Sequence, residues 1–169
     1  TVTKYSNYKV NLKIDPVKRT FEGIQKVNFT NNTKDNLEGI LFNLYLNAYQ
    51  KNSKIKPYVL EFEDKVYKEG FDEGFILIES VLINNAEVVF NQSETFLDVI
   101  LNEPVSPDEE IEITIQFKGK TPKASHKMGA NDKVMWMGNF LPVLSVYDEN
   151  GWNRYSSYPI GDSFFTRVS

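Results

Sequence analysis

The chemistry open to this chain is bounded first by the reactive side chains it lacks. Of its 169 residues none is a cysteine and one, His126, is a histidine. Disulfides, thiolate nucleophiles, Cys-bearing zinc sites and multi-histidine metal sites cannot be built from the chain alone. Zinc peptidase chemistry needs two histidines one helical turn apart and a glutamate to activate water, which a single histidine does not supply. His126 stands between Ser125 and Lys127 in a polar stretch and reads as an ordinary exposed histidine. There is no Gly-x-Ser-x-Gly elbow, phosphate-binding glycine loop or dinucleotide fingerprint.

Carboxylates are adjacent at Asp72-Glu73 and Asp148-Glu149. Paired acid/base work needs two carboxylates converging in a cleft, and adjacency does not establish that. Each pair precedes Gly74 or Asn150-Gly151, so both read as turn residues. The acidic run Asp108-Glu109-Glu110 lacks the ligand spacing of a calcium loop and reads as solvated. Asn-x-Ser/Thr sequons at Asn28, Asn31 and Asn91 are explained by chance in so Asn-rich a chain. The aromatics Trp136, Phe140, Tyr147, Trp152, Tyr155 and Tyr158 read first as packing and second as a binding surface. Lys and Arg number 19 against 23 Asp and Glu, a net charge of −4. That balance gives no case for nucleic acid or an anionic membrane as partner. No segment approaches the roughly 18 consecutive apolar residues of a membrane span.

The elements that must position these residues are mostly strands, with 14% aromatic residues favouring a pleated surface. Tyr8, Val10, Leu12 and Ile14 alternate up to Asp15-Pro16, and Thr20–Thr30 is a second strand, with a bulge expected at Gly23. Leu41–Tyr49 reads as a third, so the first fifty residues are expected to form an antiparallel meander. Phe62, Val66 and Tyr67 recur at helical spacing before Gly70, predicting one short helix at about residues 59–69. Further strands are expected at Phe75–Leu82, Glu87–Phe90, Phe96–Leu101 and Ile111–Phe117, with a tight turn at Asn84-Asn85. Residues 120–139 read as a long exposed loop. The fold class is therefore all-β, an antiparallel sandwich or curved sheet with one short helix, forming a single domain over 1–169. Phe164-Phe165-Thr166 reads as a strand cut partway, which suggests part of a longer protein. Compartment is left open.

The order of these features resembles the N-terminal domain of M1-family zinc aminopeptidases, the gluzincins. The resemblance rests on Tyr8-Lys9-Val10-Asn11-Leu12, on Phe21-Glu22-Gly23 and on Leu41-Phe42-Asn43-Leu44-Tyr45-Leu46. It continues through Phe140-Leu141-Pro142 and Phe164-Phe165-Thr166, in wording closest to divergent bacterial members. It implies a saddle-like β-domain that covers a catalytic domain, lines the substrate channel and lacks catalysis of its own. The family's Gly-x-Met-x-Asn and His-Glu-x-x-His motifs are both absent here. By the same resemblance no cofactor belongs to this chain, zinc belongs to the full-length parent, and the partners are the parent's catalytic domain and peptide substrate. The family's amine-binding Gln or Glu has no counterpart between Thr121 and Phe140, which leaves Asp132, Trp136 and Asn139 as substrate-channel candidates. The other reading is an autonomous β-sandwich module that binds protein or carbohydrate through its aromatic surface.

Overall fold

The structure, a computed structural model, describes residues 5–154. Phe164-Phe165-Thr166, Tyr155 and Tyr158 lie outside the described residues. Strands β1 (Asn7–Asp15), β2 (Thr20–Thr30), β3 (Leu37–Asn43) and β4 (Phe75–Ile83) are followed by β5 (Ala86–Glu87), β6 (Phe90–Ser93), β7 (Phe96–Val105) and β8 (Glu110–Lys120). Four hairpin strands and one that joins β3 complete the set: β9 (Met128–Ala130), β10 (Met135–Met137), β11 (Val143–Leu144), β12 (Tyr147–Asp148) and β13 (Gly151–Trp152). The pairings are antiparallel, and they build a five-stranded sheet in the order β1-β2-β8-β4-β5 and a four-stranded sheet in the order β11-β3-β7-β6. The fold is all-β and of the sandwich type, as the alternation predicted.

One apolar core draws on both sheets. The five-stranded sheet contributes Val27, Ile76, Ile113, Ile115 and Phe117, and the four-stranded sheet contributes Phe42 and Leu97, each 0% exposed. Period-two burial along β8, with Ile111, Ile113, Ile115 and Phe117 inside, is what a half-buried strand requires. At Asn84 and Asn85 φ is +49° and +68°, the left-handed pair that a tight hairpin turn demands.

Four expectations are corrected. Gly23 marks no bulge: register runs unbroken through it on both sides, Leu12 opposite on β1 and Phe117 opposite on β8. A Cβ there would sit 2.9 Å from Cζ of Phe117 and 2.8 Å from the Asn11 carbonyl, so the glycine makes room for a ring. The register shifts fall instead at Leu37/Gly39 and Ile78/Ser80. Leu41–Tyr49 is not one strand: β3 ends at Asn43, and Tyr45–Tyr49 coils into a 3-10 turn. Asn47 explains the coil, because its buried amide accepts from Ile76 N (2.8 Å) and donates to the Glu94 carbonyl (3.0 Å). The meander also fails at its third member, since β3 joins the opposite sheet from β1 and β2.

The helix is shorter than residues 59–69. It is a 3-10 turn at Leu60–Phe62 running into α1 (Glu63–Val66). Tyr67 leaves helical geometry at φ −115°, ψ 73° and buries its ring against Tyr58 and Phe71, while Phe62 stays 47% exposed. Gly70, at φ +92°, does stop the segment, one turn later.

Candidate functional site

The segment that carries Asp132, Trp136 and Asn139 is held at its root by a carboxylate. Arg19, in the β1–β2 turn, approaches Asp72 Oδ2 at 2.5 Å, and Lys120, at the end of β8, approaches Oδ1 at 2.6 Å. The backbone N–H of Lys123 adds a third bond to Oδ2 at 2.8 Å. Burial alone would raise the Asp72 carboxyl, but these three donors outweigh it and bring it down to about 2. Asp72 thus ties the loop after β8 to the β1–β2 turn and to the segment before β4. Adjacency to Glu73 concealed this, because the three donors, two cations and a backbone N–H, are distant in sequence. At the other pair, Asp148 accepts from Asn150 N at 2.8 Å in the β12–β13 turn, as a turn residue should.

From Thr121 the chain is anchored rather than exposed. Thr121 N donates to the Arg19 carbonyl (2.9 Å) and Ser125 N to the Val66 carbonyl (2.7 Å). Thr121, Pro122, Ala124 and Met128–Ala130 are buried. The expected long loop is therefore corrected to an anchored segment followed by the β9–β10 hairpin, with Trp136 opposite Gly129. The hairpin turn is closed by Asn131, whose side-chain oxygen accepts from the N–H groups of Lys133 and Val134, each at 2.9 Å.

His126 is likewise not an ordinary exposed histidine. Its Nδ1 lies 2.7 Å from the Tyr49 hydroxyl, and the rings of Tyr49 and Tyr58 flank the imidazole at 5.9 and 6.0 Å between centroids. Tyr58 in turn donates to Glu63 Oε2 at 2.9 Å. The His126 carbonyl accepts the Trp136 indole N–H at 2.6 Å. Burial lowers the imidazole below its ordinary value, and the Lys127 charge acts in the same direction. Burial pushes the hydroxyls of Tyr49, Tyr58 and Tyr67 far up, so they serve as hydrogen-bonding phenols and not as phenolates.

Of the three channel candidates, the structure puts Asp132 and Trp136 on one hairpin and Asn139 just past its end, each in different surroundings. Trp136 is half-buried on β10 against Gly129, its N–H already committed. Asp132 is exposed in the turn, 3.7 Å from Lys123 Nζ. Asn139 is exposed just beyond β10, at φ +54°. Sequence reasoning missed the tyrosines behind them, although Tyr49, Tyr58 and Tyr67 at nine-residue spacing were a visible signal. Among the described residues no cluster of three or more His, Cys, Asp or Glu could hold a metal. With Nδ1 of His126 engaged by Tyr49, the donor set here does not fit zinc.

The fit around Gly129 is close. A Cβ at Gly129 would fall 1.8 Å from the Ala124 carbonyl oxygen and 2.8 Å from Cζ2 of Trp136. Backbone cannot yield as a side chain can, so Gly129→Ala is expected to displace the hairpin and cost about 2 kcal/mol or more. Trp136 fluorescence in a Trp152→Phe background measures the displacement. An unchanged emission maximum together with an unchanged unfolding midpoint would contradict it.

No protein-family model matches the sequence, and no curated protein does. Among solved structures, an M1 zinc metallopeptidase from Deinococcus radiodurans matches at TM-score 0.52 and 13% identity, over 82% of this chain and 29% of that one. A mutant form of the same enzyme matches at TM-score 0.53 and 14% identity, over the same shares. A two-domain M1 zinc metallopeptidase mutant bound to L-tryptophan matches at TM-score 0.52 and 14% identity, over 83% of this chain and 29% of that one. The chain thus spans under a third of the solved chains it matches, and the likeness is one of fold, that of their N-terminal domain.

Proposed function

We propose that this chain is the non-catalytic N-terminal β-domain of an M1-type zinc metallopeptidase, an aminopeptidase. In that role it covers a catalytic domain and shapes the path of peptide substrate toward it. The reading rests on one observation: a two-sheet antiparallel fold aligned over 82% of this chain with a zinc metallopeptidase of that class. Residues 1–169 then form a single, incomplete β-domain, and zinc belongs to the parent, since the donors gathered here do not fit it. The β9–β10 hairpin is the part we assign to the channel, with Trp136 as wall and Asp132 and Asn139 as the polar groups within reach of a substrate. Along β1, Leu12 and Ile14 are 37% and 44% exposed on the sheet face that elsewhere builds the core. Apolar surface left open in this way suits a neighbouring domain.

The 169-residue chain is expected to bind zinc at well below one equivalent and to leave aminoacyl-arylamides intact. Fused to the sequence that follows it in the gene, it is expected to hydrolyse them. Hydrolysis by the 169 residues alone would overturn the assignment, and so would a following sequence without a His-Glu-x-x-His catalytic domain.

A second reading has its own observation. A groove of about 430 Å³ runs over β3 and β7 beside Tyr147 and Trp152, whose rings meet edge-to-face at 5.2 Å. An autonomous module would present such a groove to a protein or carbohydrate. A gene that stops shortly after Ser169 would favour it.

A further inference from the structure

The single histidine sits where one proton can change the structure around it. Tyr49 is 0% exposed, and its hydroxyl has two partners among the described residues. One is Met128 N, which donates to the phenolic oxygen at 3.4 Å; the other is His126 Nδ1 at 2.7 Å. Facing a neutral imidazole whose hydrogen is on the other ring nitrogen, the phenol directs its own proton at Nδ1. That arrangement requires a bare Nδ1. Add a proton to Nδ1 and two donors face each other. The phenol must then turn its hydrogen away from Nδ1 into buried surroundings, or the imidazole must leave.

The groups around the ring do not soften this conflict. Tyr49 comes from the 3-10 turn after β3 and Tyr58 from the segment before α1, with Tyr67 behind Tyr58. Glu63 of α1 is engaged by the Tyr58 hydroxyl, and the adjacent Lys127 opposes a positive ring. Two connections carry the effect outward from His126. Its own carbonyl holds the Trp136 indole, and Met128, the first residue of β9, shares the same phenol.

We propose that His126 is a proton-operated latch: neutral, it fastens the β9–β10 hairpin to Tyr49, and protonated, it releases the hairpin and Trp136 with it. The direction follows from linkage. Closed, the imidazole binds its proton more weakly than the ordinary value of about 6.5, while in the released state it reverts towards that value. The released state therefore holds more protons, and lowering pH favours it. Its population rises by up to tenfold per pH unit below about 6.5, and levels off once the closed form too is protonated. The latch rests on the geometry of the hairpin alone and holds whether or not the chain belongs to a peptidase.

Nuclear magnetic resonance on the 169-residue chain from pH 8 to 4.5 tests it, with one imidazole and two indole N–H signals to follow. The Trp136 indole is expected to shift and to exchange faster with the midpoint of the His126 imidazole, while the Trp152 indole, bonded to the Gly39 carbonyl, stays in place. Tyr49→Phe keeps the ring but removes the hydroxyl. In that variant the His126 midpoint is expected to rise towards 6.5, and the Trp136 signal to lose its pH dependence. His126→Gln is expected to hold Trp136 insensitive to pH across the range. The latch is overturned if Trp136 ignores the His126 titration, or if the response survives in His126→Gln. Movement of both indoles together would also overturn it, since that reports global unfolding.

Discussion

Phe117→Ala is expected to lower the stability of the domain by about 3–5 kcal/mol, the range for truncating a buried aromatic ring. Phe117 is 0% exposed on β8, the strand paired with β2 on one side and β4 on the other. Its ring occupies the space left by Gly23, and Phe21 meets it edge-on at 6.2 Å. Neighbours on three strands cannot close the gap without breaking ladder hydrogen bonds, so most of the ring's volume would remain as cavity. Against a typical domain stability of about 5–15 kcal/mol, this is a large fraction. Denaturant unfolding followed by circular dichroism measures it. A loss below about 1 kcal/mol would mean that the sheets can collapse onto the vacancy and that β8 is not the centre of the core.

The second large effect is electrostatic and depends on pH. Asp72→Asn is expected to cost about 2–3 kcal/mol at neutral pH, because the side chains of Arg19 and Lys120, 17% and 26% exposed, lose their common anion. The carboxyl is depressed on folding from 3.8 to about 2, so its contribution is fully present above about pH 4. It fades as pH falls through 4 and towards 2, where the folded state must also take up the proton. The stability difference between the parent chain and Asp72→Asn should therefore shrink across that window, and stay constant from pH 5 to 7. A difference that persists unchanged at pH 2 would show the loss to be one of packing. The consequence is local as well, since Asp72 holds the backbone of Lys123 and with it the approach to the β9–β10 hairpin.

His126 shifts stability by the same linkage at a higher pH. Its lowered folded value means that the unfolded chain takes up the proton first as pH drops below about 6.5. Stability is thus level above that point and declines beneath it, until the folded form protonates too.

Most strands were legible because one face of each is buried and the other wet, which writes a period of two into the sequence. Thr20–Thr30 is observed with the bounds expected of it, and the alternation at Ile111–Phe117 is the inner face of β8. Legibility failed where burial is complete or polar. From Leu41 to Tyr49 every residue is buried, so apolar residues and asparagines alike carry no phase. Gln25, 0% exposed, shares the inner face of β2 with Val27 and Phe29, and nothing in its polar type announces the burial that its amide meets by donating to the Pro142 carbonyl at 2.8 Å. Gln92 is similar, bonding to Ile78 N and to the Ile76 carbonyl across the seam between sheets. The site was legible only as a stretch of chain. That Trp136 and Asp132 share one hairpin, with Asn139 just past its end, follows from their proximity in sequence, whereas the tyrosines around His126 arrive from two other segments.

By itself the sequence determined the chemical limits and the fold class. A missing cysteine or second histidine stays missing in any conformation, and side-chain alternation is a local consequence of the pleat. Only the tertiary structure decided what the remaining reactive groups do. Asp72 became an anchor and not a turn residue, and His126 a half-buried partner of Tyr49 and not an exposed base, because their partners lie 53 and 77 residues away. Solvation and hydrogen bonding across such distances are set by which strands share a sheet, and no window along the chain contains that information.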